Sequence, residues 1–504
     1  MSLSPRWVLL SIVVALTVAL TSCGGGSSKA VLATTSTSPS TTIPAADSVS
    51  GPLHMAGGWI RDSSGRVVIL HGVNVVWKTP PYVPPSTPGG ITDADAVLMR
   101  SLGFNAVRLG FVWEGFEPRR GVFDENYLNR LVAVERLLTS HGIYVLIDSH
   151  QDDISGRFHG EGFPDWALYT DGLPGCPSSL LNAGGDQRLC SPAMGRVWDN
   201  LWANRAGLWQ AYSEMWKKVA ARFASEPGVL GYDILNEPWA GKQFPTCLTT
   251  SGCPSFYREY LQPFEDMVAS SIRSVDPVHT VVYEPDDLAS SGLHLSSSGP
   301  QSWLTAPTPA GPNALYTFHI NCSFNCDNAM AANLASAARL DAPLLIGEDG
   351  GCMGTSVFTS AVRHADAAQV GWIHWAWKST HQDNSGGIDS CDSMFHNDAN
   401  LATLNQTKAD ILSEPYPMAI AGTPTAYGFD PATDTFSLTY APDPSISAPT
   451  VVFSAPRHYP SGYRIEVQGA HFTSSECSPY LTIVNDPGSA RVSLKLVPGS
   501  CKSS

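Results

Sequence analysis

The chain has 504 residues, of which 43% are apolar, 10% aromatic and only 15% charged, and its formal net charge is −15. That length exceeds one ordinary domain and the apolar fraction supports a large core, which argues against a fibrous or disordered protein. The negative charge argues against nucleic acid or an anionic membrane surface as the main partner, because both are bound through clustered lysine and arginine.

The N-terminus predicts an export signal. Arg6 precedes the apolar run WVLLSIVVALTVAL, which is short for a membrane-spanning helix and has the composition of a secretory signal. The run ends in LTSC, which resembles a bacterial lipobox and implies cleavage before Cys23 and lipidation of its thiol. We therefore expect residues 1–23 to be a lipoprotein signal and the protein to be anchored to the outer face of the bacterial cell membrane. Ordinary secretion with an incidental cysteine is the alternative.

The composition of residues 24–52 predicts a flexible linker. They consist mainly of Ser, Thr, Gly, Ala and Pro, which cannot bury enough apolar surface to fold. Such a tether would hold the folded part on the order of 30 Å from its anchor.

The cysteine count predicts disulfides. Setting Cys23 aside from the 11 cysteines leaves ten, an even number in an exported chain. The spacing favours three loop-closing pairs: Cys176 with Cys190, Cys247 with Cys253, and Cys477 with Cys501. Two further bonds are left among Cys322, Cys326, Cys352 and Cys391, and the sequence does not fix their pairing. A metal held by the first two of these is the weaker alternative, since no second Cys or His pair completes a four-ligand site.

Short β-rich runs alternate with helical patterns over most of the chain. The runs begin at Val67, Asn105, Tyr144, Val229, Thr280, Ala314, Pro343 and Val370. Segments with helical spacing lie between them, such as YLNRLVAVERLLTSHG and AYSEMWKKVAARFA. Eight strand-helix units with largely continuous apolar strands predict a closed parallel (β/α)8 TIM barrel over residues 53–414, with its chemistry at the carboxyl ends of the strands. A doubly wound open sheet is the alternative, but no G-x-G-x-x-G follows an early strand.

The sequence changes character after Pro415. The runs TFSLTYAP, TVVFSAP, YRIEVQG, YLTIVND and RVSLKLV alternate in polarity and are separated by turn residues. This pattern predicts a C-terminal antiparallel β-sandwich over residues 415–504. No catalytic constellation is visible in it, so a packing or accessory role is expected.

Polar and aromatic residues close several of the predicted barrel strands, where the active-site face of a barrel lies. Any one of them alone would more often be structural, whereas their convergence indicates a site. They are Arg108, His150, Asp152, Asn236, Glu237, His319, Glu348, Trp375 and Trp377. The two tryptophans alternate on one strand, so we expect one to form the floor of a sugar site and the other to pack.

Two of these carboxylates suit glycoside hydrolysis. Glu237 and Glu348 end strands four and seven and can face each other across a pocket, and retention needs carboxyl groups about 5 to 5.5 Å apart. Asn236 is placed to hydrogen-bond the sugar 2-hydroxyl. Arg108, if close to Glu348, would keep that group ionised, whereas Glu237 should retain its proton.

The motifs LNEP and LLIGEDGG, with Arg108 in VRLGFVW and His150 in DSHQD, resemble those of glycoside hydrolase family 5 over roughly residues 55–412. The segment HQDDISGRFHGEGFPDWA and the trailing β-sandwich are similar to the endoglycoceramidase branch, whose members cut the bond between glycan and ceramide. The resemblance implies that Glu348 is the nucleophile, Glu237 the acid/base, and Asn236 and Asp152 sugar-binding. Lys78 matches a sugar-contacting lysine of the family.

The chain departs from the family pattern at one position. After strand six the family shows His-x-Tyr, with the tyrosine bonded to the nucleophile, but this chain has Asn321 there. Either Asn321 supplies a weaker contact, or Tyr316 or another group replaces the tyrosine.

The function expected is that of a monomeric retaining β-glycosidase acting on glycosphingolipids, with no cofactor and no metal. Its substrate partner is a glycolipid or oligosaccharide, and the N-terminal lipid is its contact with the membrane. A hydrophobic leaving group needs an apolar groove, for which WKTPPYVPP and residues 158–168 are candidates. The alternatives are a family 5 enzyme acting on soluble β-glucan or mannan, and a catalytically weak glycan- or lipid-binding surface lipoprotein.

Overall fold

The computed structural model describes residues 51–182, 186–249, 252–291, 313–320, 326–350, 354–379 and 391–501. The predicted signal, Cys23 and the linker up to residue 50 lie outside these residues, as does Asn321. Within the described ranges, no helix is both long enough and apolar enough to cross a membrane.

The strands fall into three groups. The first group is β1 (His54–Ala56), β2 (Trp59–Arg61) and β3 (Val67–Val68). The second is β4 (His71–Val75), β5 (Ala106–Phe111), β6 (Tyr144–Ser149), β7 (Val229–Asp233), β8 (Thr280–Tyr283), β9 (Ala314–Ile320), β10 (Leu344–Gly350) and β11 (Gly371–Trp375). The third is β12 (Tyr416–Ile420), β13 (Gly422–Asp430), β14 (Thr435–Pro442), β15 (Thr450–Phe453), β16 (Tyr463–Gln468), β17 (Ala470–Phe472), β18 (Tyr480–Asn485) and β19 (Val492–Pro498).

The second group closes into the predicted barrel of eight parallel strands. The order is β10-β11-β4-β5-β6-β7-β8-β9, and β9 pairs with β10 to complete the ring. The first predicted strand is the exception to the sequence assignment, because the run from Val67 is divided. Its start pairs with β12 in the C-terminal sheet, while His71 to Val75 forms the barrel strand. One apolar run thus serves two cores, a division that periodicity alone does not reveal.

Apolar side chains fill one end of the barrel. Leu146, Leu230 and Leu345 belong to a fully buried interior cluster that also contains residues of the N-terminal strands. Leu53 and Met55 are members of that cluster and cover the amino-terminal end of the strands. Charged groups can therefore enter only from the opposite, carboxyl end, where the site lies.

Helices surround the barrel and carry the intervening segments. Some of the longer ones begin at capping residues, as where Thr92 and Asp95 form a capping box and where Asp124 accepts the Asn126 and Tyr127 N–H groups. The helices are α1 (Asp93–Ser101), α2 (Trp113–Phe116), α3 (Glu125–Ser140), α4 (Ser178–Leu181), α5 (Gln187–Cys190), α6 (Pro192–Trp202), α7 (Leu208–Phe223), α8 (Phe244–Cys247), α9 (Pro254–Phe256), α10 (Gln262–Arg273), α11 (Asp287–Ser291), α12 (Cys326–Leu340), α13 (Thr355–Ala368) and α14 (Gln406–Leu412).

The C-terminal residues form two antiparallel sheets around a second core. One sheet has the order β13-β14-β19-β16, and the other β1-β2-β3-β12-β15-β18-β17. The second sheet therefore takes in the three N-terminal strands, which pair with β12 through β3. The five strands predicted after Pro415 are present, and β12, β13 and β17 are additional to them.

Aromatic side chains join the two cores. Tyr416 stacks on His71 with ring centroids 3.6 Å apart, and its hydroxyl donates to the Gly103 carbonyl at 2.7 Å. Gly103 has a left-handed backbone, with φ of +87°, and a Cβ there would lie 2.5 Å from the Phe453 ring. A glycine is therefore required where the sandwich contacts the barrel.

The three predicted disulfides, Cys176–Cys190, Cys247–Cys253 and Cys477–Cys501, are confirmed. Cys326 and Cys391 are disulfide-bonded as well. The Cys176–Cys190 bond holds α5, a short helix that borders the site described next.

Candidate active site

Arg108 is the centre of the polar end of the barrel. It is fully buried on β5, and its guanidinium donates to Asp233 at 2.9 Å, Asp148 at 2.9 Å and Glu348 at 2.6 Å. It also donates to the Asn236 amide oxygen at 2.8 Å. These partners come from the carboxyl ends of different strands, so one side chain fixes their relative positions.

A local irregularity in β10 aims Glu348 at Arg108. The strand pairing shifts register between Ile346 and Glu348 on the β9 side, a bulge of the kind that redirects a side chain. Gly347 precedes Glu348, and a Cβ there would lie 2.5 Å from the Thr317 hydroxyl oxygen. The Gly347 carbonyl accepts the Asn74 amide at 3.0 Å. Gly347 and the bulge together direct the Glu348 side chain toward Arg108.

Glu237 lies beyond the end of β7 in a left-handed backbone conformation, with φ of +43°. For a residue with a Cβ this costs about 1–2 kcal/mol. Backbone contacts stabilise it: the Glu237 N–H donates to Glu284 Oε1 at 3.0 Å, and its carbonyl accepts the Gln151 amide at 3.1 Å. Such strain is typical of residues held for chemistry, and Glu284 is the acceptor that maintains it.

His319 joins the two glutamates. Its Nδ1 lies 2.8 Å from Glu237 Oε1, while its Nε2 lies 3.7 Å from Glu348 Oε1 and 3.5 Å from Glu284 Oε1. One carboxylate oxygen each of Glu237 and Glu348 and a His319 ring nitrogen lie within 4.8 Å of one another. That spacing fits the roughly 5–5.5 Å of retaining glycosidases and is shorter than the roughly 6.5–9.5 Å of inverting ones.

The buried carboxyl groups outnumber the one guanidinium that they surround. Burial raises the pKa of Asp233 to about 7, against the influence of Arg108. Burial and the neighbouring Asp233 raise the pKa of Glu284 well above its usual range. Burial also raises the pKa of Glu348, but Arg108 Nη1 at 2.6 Å favours its carboxylate. Burial thus favours the protonated forms of Asp233 and Glu284, whereas the close guanidinium of Arg108 favours the carboxylate of Glu348.

Glu237 lies in a different electrostatic environment. Burial raises its pKa, and Arg188 acts in the opposite direction. Burial lowers the pKa of His319 well below its usual value, so the ring that contacts Glu237 is neutral. Burial thus favours the protonated form of Glu237, whose nearest guanidinium lies at 3.7 Å, whereas Glu348 has a guanidinium at 2.6 Å.

Lys78 and Asp152 form a second polar group beside the pair. The Lys78 ammonium contacts Asp152, lies 3.8 Å from Glu161, and sits 4.6 Å from the centre of the Trp375 ring. Burial opposes ionisation of Asp152, but Lys78 overcomes it and holds the pKa of Asp152 well below its usual range. His150 stacks on Trp375 at 5.3 Å. An aromatic face flanked by an ammonium and a carboxylate suits a sugar ring and its hydroxyls.

The polar contacts of Asn236 are within the protein. Its oxygen accepts from Arg108, and its amide nitrogen donates to the Gln151 carbonyl at 3.0 Å. These contacts fix the side chain, which is 1% exposed, next to Glu237. The second hydrogen on the Asn236 amide nitrogen can be donated to the oxygen of a sugar hydroxyl.

Trp377 does not lie with the other predicted site residues. It is fully buried, packs edge-on against Phe395 with centroids 4.9 Å apart, and donates to Asp95. Strand β11 ends at Trp375, so the alternation expected from sequence does not extend to Trp377. Trp377 is therefore a core residue rather than a sugar contact.

Tyr316 does not replace the tyrosine expected after β9. Its hydroxyl donates to Asn333 Oδ1 at 2.9 Å, on the helix α12 outside the barrel. It precedes His319 by an odd number of residues, which places the two side chains on opposite faces of β9.

The two segments expected to form an apolar groove do meet, but their cavity carries charge. It has a volume of about 580 Å³, and its lining includes Tyr82, Phe163, Glu114, Arg157 and Asp165. Phe158 and Leu168 are buried in the core instead. Asp165 belongs to the predicted segment and Arg157 directly precedes it, so much of the charge comes from the segment itself.

Several residues of the site were missed from sequence. Glu284 directly follows β8 in the motif YEP, much as Glu237 follows β7, so its position alone could have found it. Arg188 lies on α5 and Asp287 begins α11, and their ion pair at 2.6 Å has no signature in the sequence spacing.

Two clusters have donor distances compatible with a metal ion: His150 with Asp152 and Glu161, and Glu237 with His319 and Glu348. In each cluster a protein cation already contacts a carboxylate, Lys78 in the first and Arg108 in the second. These contacts favour a protein ammonium or guanidinium as the counter-charge of each cluster.

Comparison with known families covers both parts of the chain. Residues 62–381 match the model described as cellulase (glycosyl hydrolase family 5), and residues 415–495 match the glycoside hydrolase family 5 C-terminal domain. Endoglycoceramidase I of Rhodococcus hoagii (strain 103S) is 31% identical over 471 residues, 89% of each chain. An endoglycoceramidase of Hydra vulgaris is 29% identical over 479 residues, 87% of each chain.

Solved endoglycoceramidase structures are also similar to this chain. Endo-glycoceramidase II from Rhodococcus sp., in complex with a cellobiose-like imidazole, superimposes with a TM-score of 0.72 at 27% identity, covering 88% of this chain and 100% of that chain. The same enzyme has been solved as a lactosyl-enzyme intermediate and with ganglioside GM3, both with a TM-score of 0.70 and the same coverage, at 26% and 25% identity.

Two substitutions of Glu284 test whether it acts as a neutral hydrogen-bond acceptor. Glu284→Gln keeps an oxygen for the Glu237 N–H and is neutral, so we expect glycosidase kcat/KM within about threefold of wild type. Glu284→Ala removes the acceptor from a strained backbone, and we expect a loss of about 10²-fold. Steady-state kinetics on both variants measure the difference. Equal losses in the two variants would show that the charge of Glu284 is what matters.

Proposed function

We propose that this chain, which belongs to glycoside hydrolase family 5, hydrolyses the β-glycosidic bond between the glycan and the ceramide of glycosphingolipids with retention of configuration. The observation that carries the proposal is the pairing of Glu237 and Glu348 at retaining distance, with an arginine on one and a proton favoured on the other. No metal or organic cofactor is needed for this chemistry.

In the first step Glu348 attacks the anomeric carbon and Glu237 donates its proton to the departing oxygen. Arg108 orients Glu348 through the 2.6 Å hydrogen bond and favours its carboxylate. The bond from the anomeric carbon to the leaving oxygen breaks as the bond to Glu348 forms. The product is a free alcohol and a glycosyl-enzyme.

In the second step Glu237, now a carboxylate, takes a proton from water while the water oxygen attacks the anomeric carbon. The electrons of the broken ester bond return to Glu348, and Glu237 is protonated for the next cycle. His319 contacts Glu237 and lies near Glu348, and its neutral ring holds their geometry without adding charge.

Two observations favour a glycolipid over a soluble polysaccharide. The relatives that match almost the full chain are endoglycoceramidases, and a structure of one holds ganglioside GM3. In addition, Leu173, Leu180 and Leu189 are 38%, 49% and 46% exposed on the segment beside Glu237. Exposed apolar side chains on the segment that carries Arg188 suit a leaving group with hydrocarbon chains.

The export and anchoring expected from the N-terminus are part of the proposal. Lipidated Cys23 and the linker would hold the enzyme near glycolipids on the outer face of the bacterial cell membrane. Since the described site is assembled from one chain, we propose that the protein acts as a monomer.

The substrate class is tested by mass spectrometry of products from wild-type protein. With lactosylceramide and ganglioside substrates we expect intact oligosaccharide and free ceramide, because cleavage occurs at the ceramide bond. A β-glucan assayed alongside should give at least about tenfold less product. Efficient release of cello-oligosaccharides without ceramide release would favour the soluble-glucan alternative, and glycolipid binding without turnover would favour a binding protein.

Variants of the pair test the roles. Glu348→Gly should have no detectable turnover of glycolipid, because the nucleophile is lost. Glu237→Ala should lose about 10²–10⁴-fold in kcat on substrates with poor leaving groups. Azide should restore turnover of an activated glycoside by Glu237→Ala and give a β-glycosyl azide, which nuclear magnetic resonance detects. Turnover by Glu348→Gly at the wild-type rate would exclude the mechanism.

The anchor is tested by Cys23→Ser in a bacterial host that lipidates proteins. We expect the wild-type protein to incorporate labelled fatty acid and to sediment with membranes, and the variant to lose both properties. Membrane association of the variant equal to that of wild type would contradict lipidation at Cys23.

A further inference from the structure

An arginine from the segment between β6 and α7 reaches the acid/base residue. Arg188 lies on α5, two residues before Cys190 of the Cys176–Cys190 disulfide. Its guanidinium lies 3.7 Å from Glu237 Oε2 and donates to Asp287 Oδ2 at 2.6 Å. It also lies 5.7 Å from the centre of the Trp239 ring. A disulfide, an ion pair and an aromatic ring therefore fix a cation next to Glu237.

A cation in this place is unexpected for an acid that must hold its proton. The guanidinium favours the ionised form of Glu237 and thus opposes the effect of burial. It gives no advantage in the first step, in which Glu237 donates a proton. Its contribution fits the glycosyl-enzyme stage, when Glu237 has become an anion in a buried site that already contains several carboxylates.

We propose that Arg188 is a positioning residue that holds Glu237 as a carboxylate after the leaving group has departed, so that Glu237 can accept the proton of the attacking water. In that step the water oxygen bonds to the anomeric carbon, its proton passes to Glu237, and the ester bond to Glu348 breaks with its electrons returning to Glu348. The inference rests on the proposed function and adds a role to it.

The other charged groups around Glu237 do not supply this counter-charge. Within the described ranges, no arginine or lysine except Arg188 comes within 4.0 Å of a Glu237 carboxylate oxygen. Lys78 contacts Asp152, and Arg108 contacts Glu348. The His319 ring is neutral. The remaining groups that face Glu237 are His150 and the carboxyls of Asp152, Asp153, Glu284, Asp287 and Glu348.

Asp287 completes the arrangement by holding Arg188 while Glu237 is neutral. The Asp287 N–H donates to the Pro238 carbonyl at 3.1 Å, so the Asp287 and Glu237 loops are tied together. Burial raises the pKa of Asp287 to about 6, and Arg188 opposes that rise. Arg188 thus contacts Asp287 at 2.6 Å and Asp186 at 3.3 Å and lies 3.7 Å from Glu237, and ionisation of Glu237 strengthens the last of these contacts.

The test compares wild type, Arg188→Met and Arg188→Lys on two glycosides. Dinitrophenyl β-lactoside has a leaving group that needs no proton, so its kcat reports the second step and its kcat/KM the first. For Arg188→Met we expect the acid limb of the kcat profile to move up by about one pH unit, a loss of about tenfold on the acid side. Its kcat/KM on this substrate should stay within about twofold of wild type, and Arg188→Lys should lie between the two.

An alkyl β-lactoside, which needs the proton of Glu237, gives an independent readout. Activity is lost as pH rises through the pKa of Glu237, so removing the cation should move the alkaline limb of kcat/KM to higher pH by about one unit. Arg196→Met is the matched control, because Arg196 lies on the same segment but pairs with Asp171 on the surface. We expect its profiles to match wild type.

The outcomes separate this inference from the proposed function. Unchanged limbs in a folded Arg188→Met, or a parallel fall of kcat and kcat/KM without a shift of either limb, would overturn the role of Arg188. If Arg188→Met does not fold, an Arg188→Lys variant with wild-type limbs and a parallel fall of both constants would overturn it. Absence of turnover by wild type on every glycoside would refute the proposed function instead.

Discussion

The buried guanidinium of Arg108 is the constraint on which the polar end of the barrel depends. A charge in a closed barrel is stable only if its hydrogen bonds are satisfied, and every carboxylate brought to it must be satisfied in turn. Arg108 meets this condition with donors directed at Asp148, Asp233, Asn236 and Glu348. The other end of the barrel is filled by apolar side chains and covered by the N-terminal strands, so these polar groups lie at the carboxyl end of the strands. Removing any partner would leave a buried N–H donor of Arg108 without its acceptor.

The same arrangement gives the two glutamates of one pocket different electrostatic surroundings. Arg108 directly contacts Glu348, while Glu237 lies beyond it and is held through its backbone by Glu284. The guanidinium of Arg108 favours the carboxylate of Glu348, whereas burial favours the protonated form of Glu237. This difference fits the division of roles that we propose for double displacement, with Glu348 as the anion and Glu237 as the acid. Arg188 acts later in the cycle, on the Glu237 side alone.

Much of the fold and of the site could be predicted from sequence, because the carboxyl ends of all strands in a parallel barrel lie close together. The eight strands are recognisable as apolar runs, Arg108, His150 and the two glutamates each lie on or just after one of them, and the disulfides follow from short cysteine spacings. What escaped prediction depends on contacts rather than on pattern. Arg188 reaches Glu237 only through the path of a disulfide-linked segment. One of the two tryptophans was expected to pack, and the structure shows that it is Trp377, because β11 ends at Trp375. The N-terminal strands were missed because their short apolar runs acquire meaning only when paired with β12.

The central claim is that Glu348 is the nucleophile of a retaining mechanism in which Arg108 favours its carboxylate. It is tested most directly by incubating the protein with an activated 2-deoxy-2-fluoro-β-lactoside, which slows the second step, and locating the label by peptide mass spectrometry. The account predicts one fluoroglycosyl group per chain, attached to the peptide that contains Glu348 and absent in Glu348→Gly. Label on Glu237, or inversion of configuration with no covalent adduct, would contradict it.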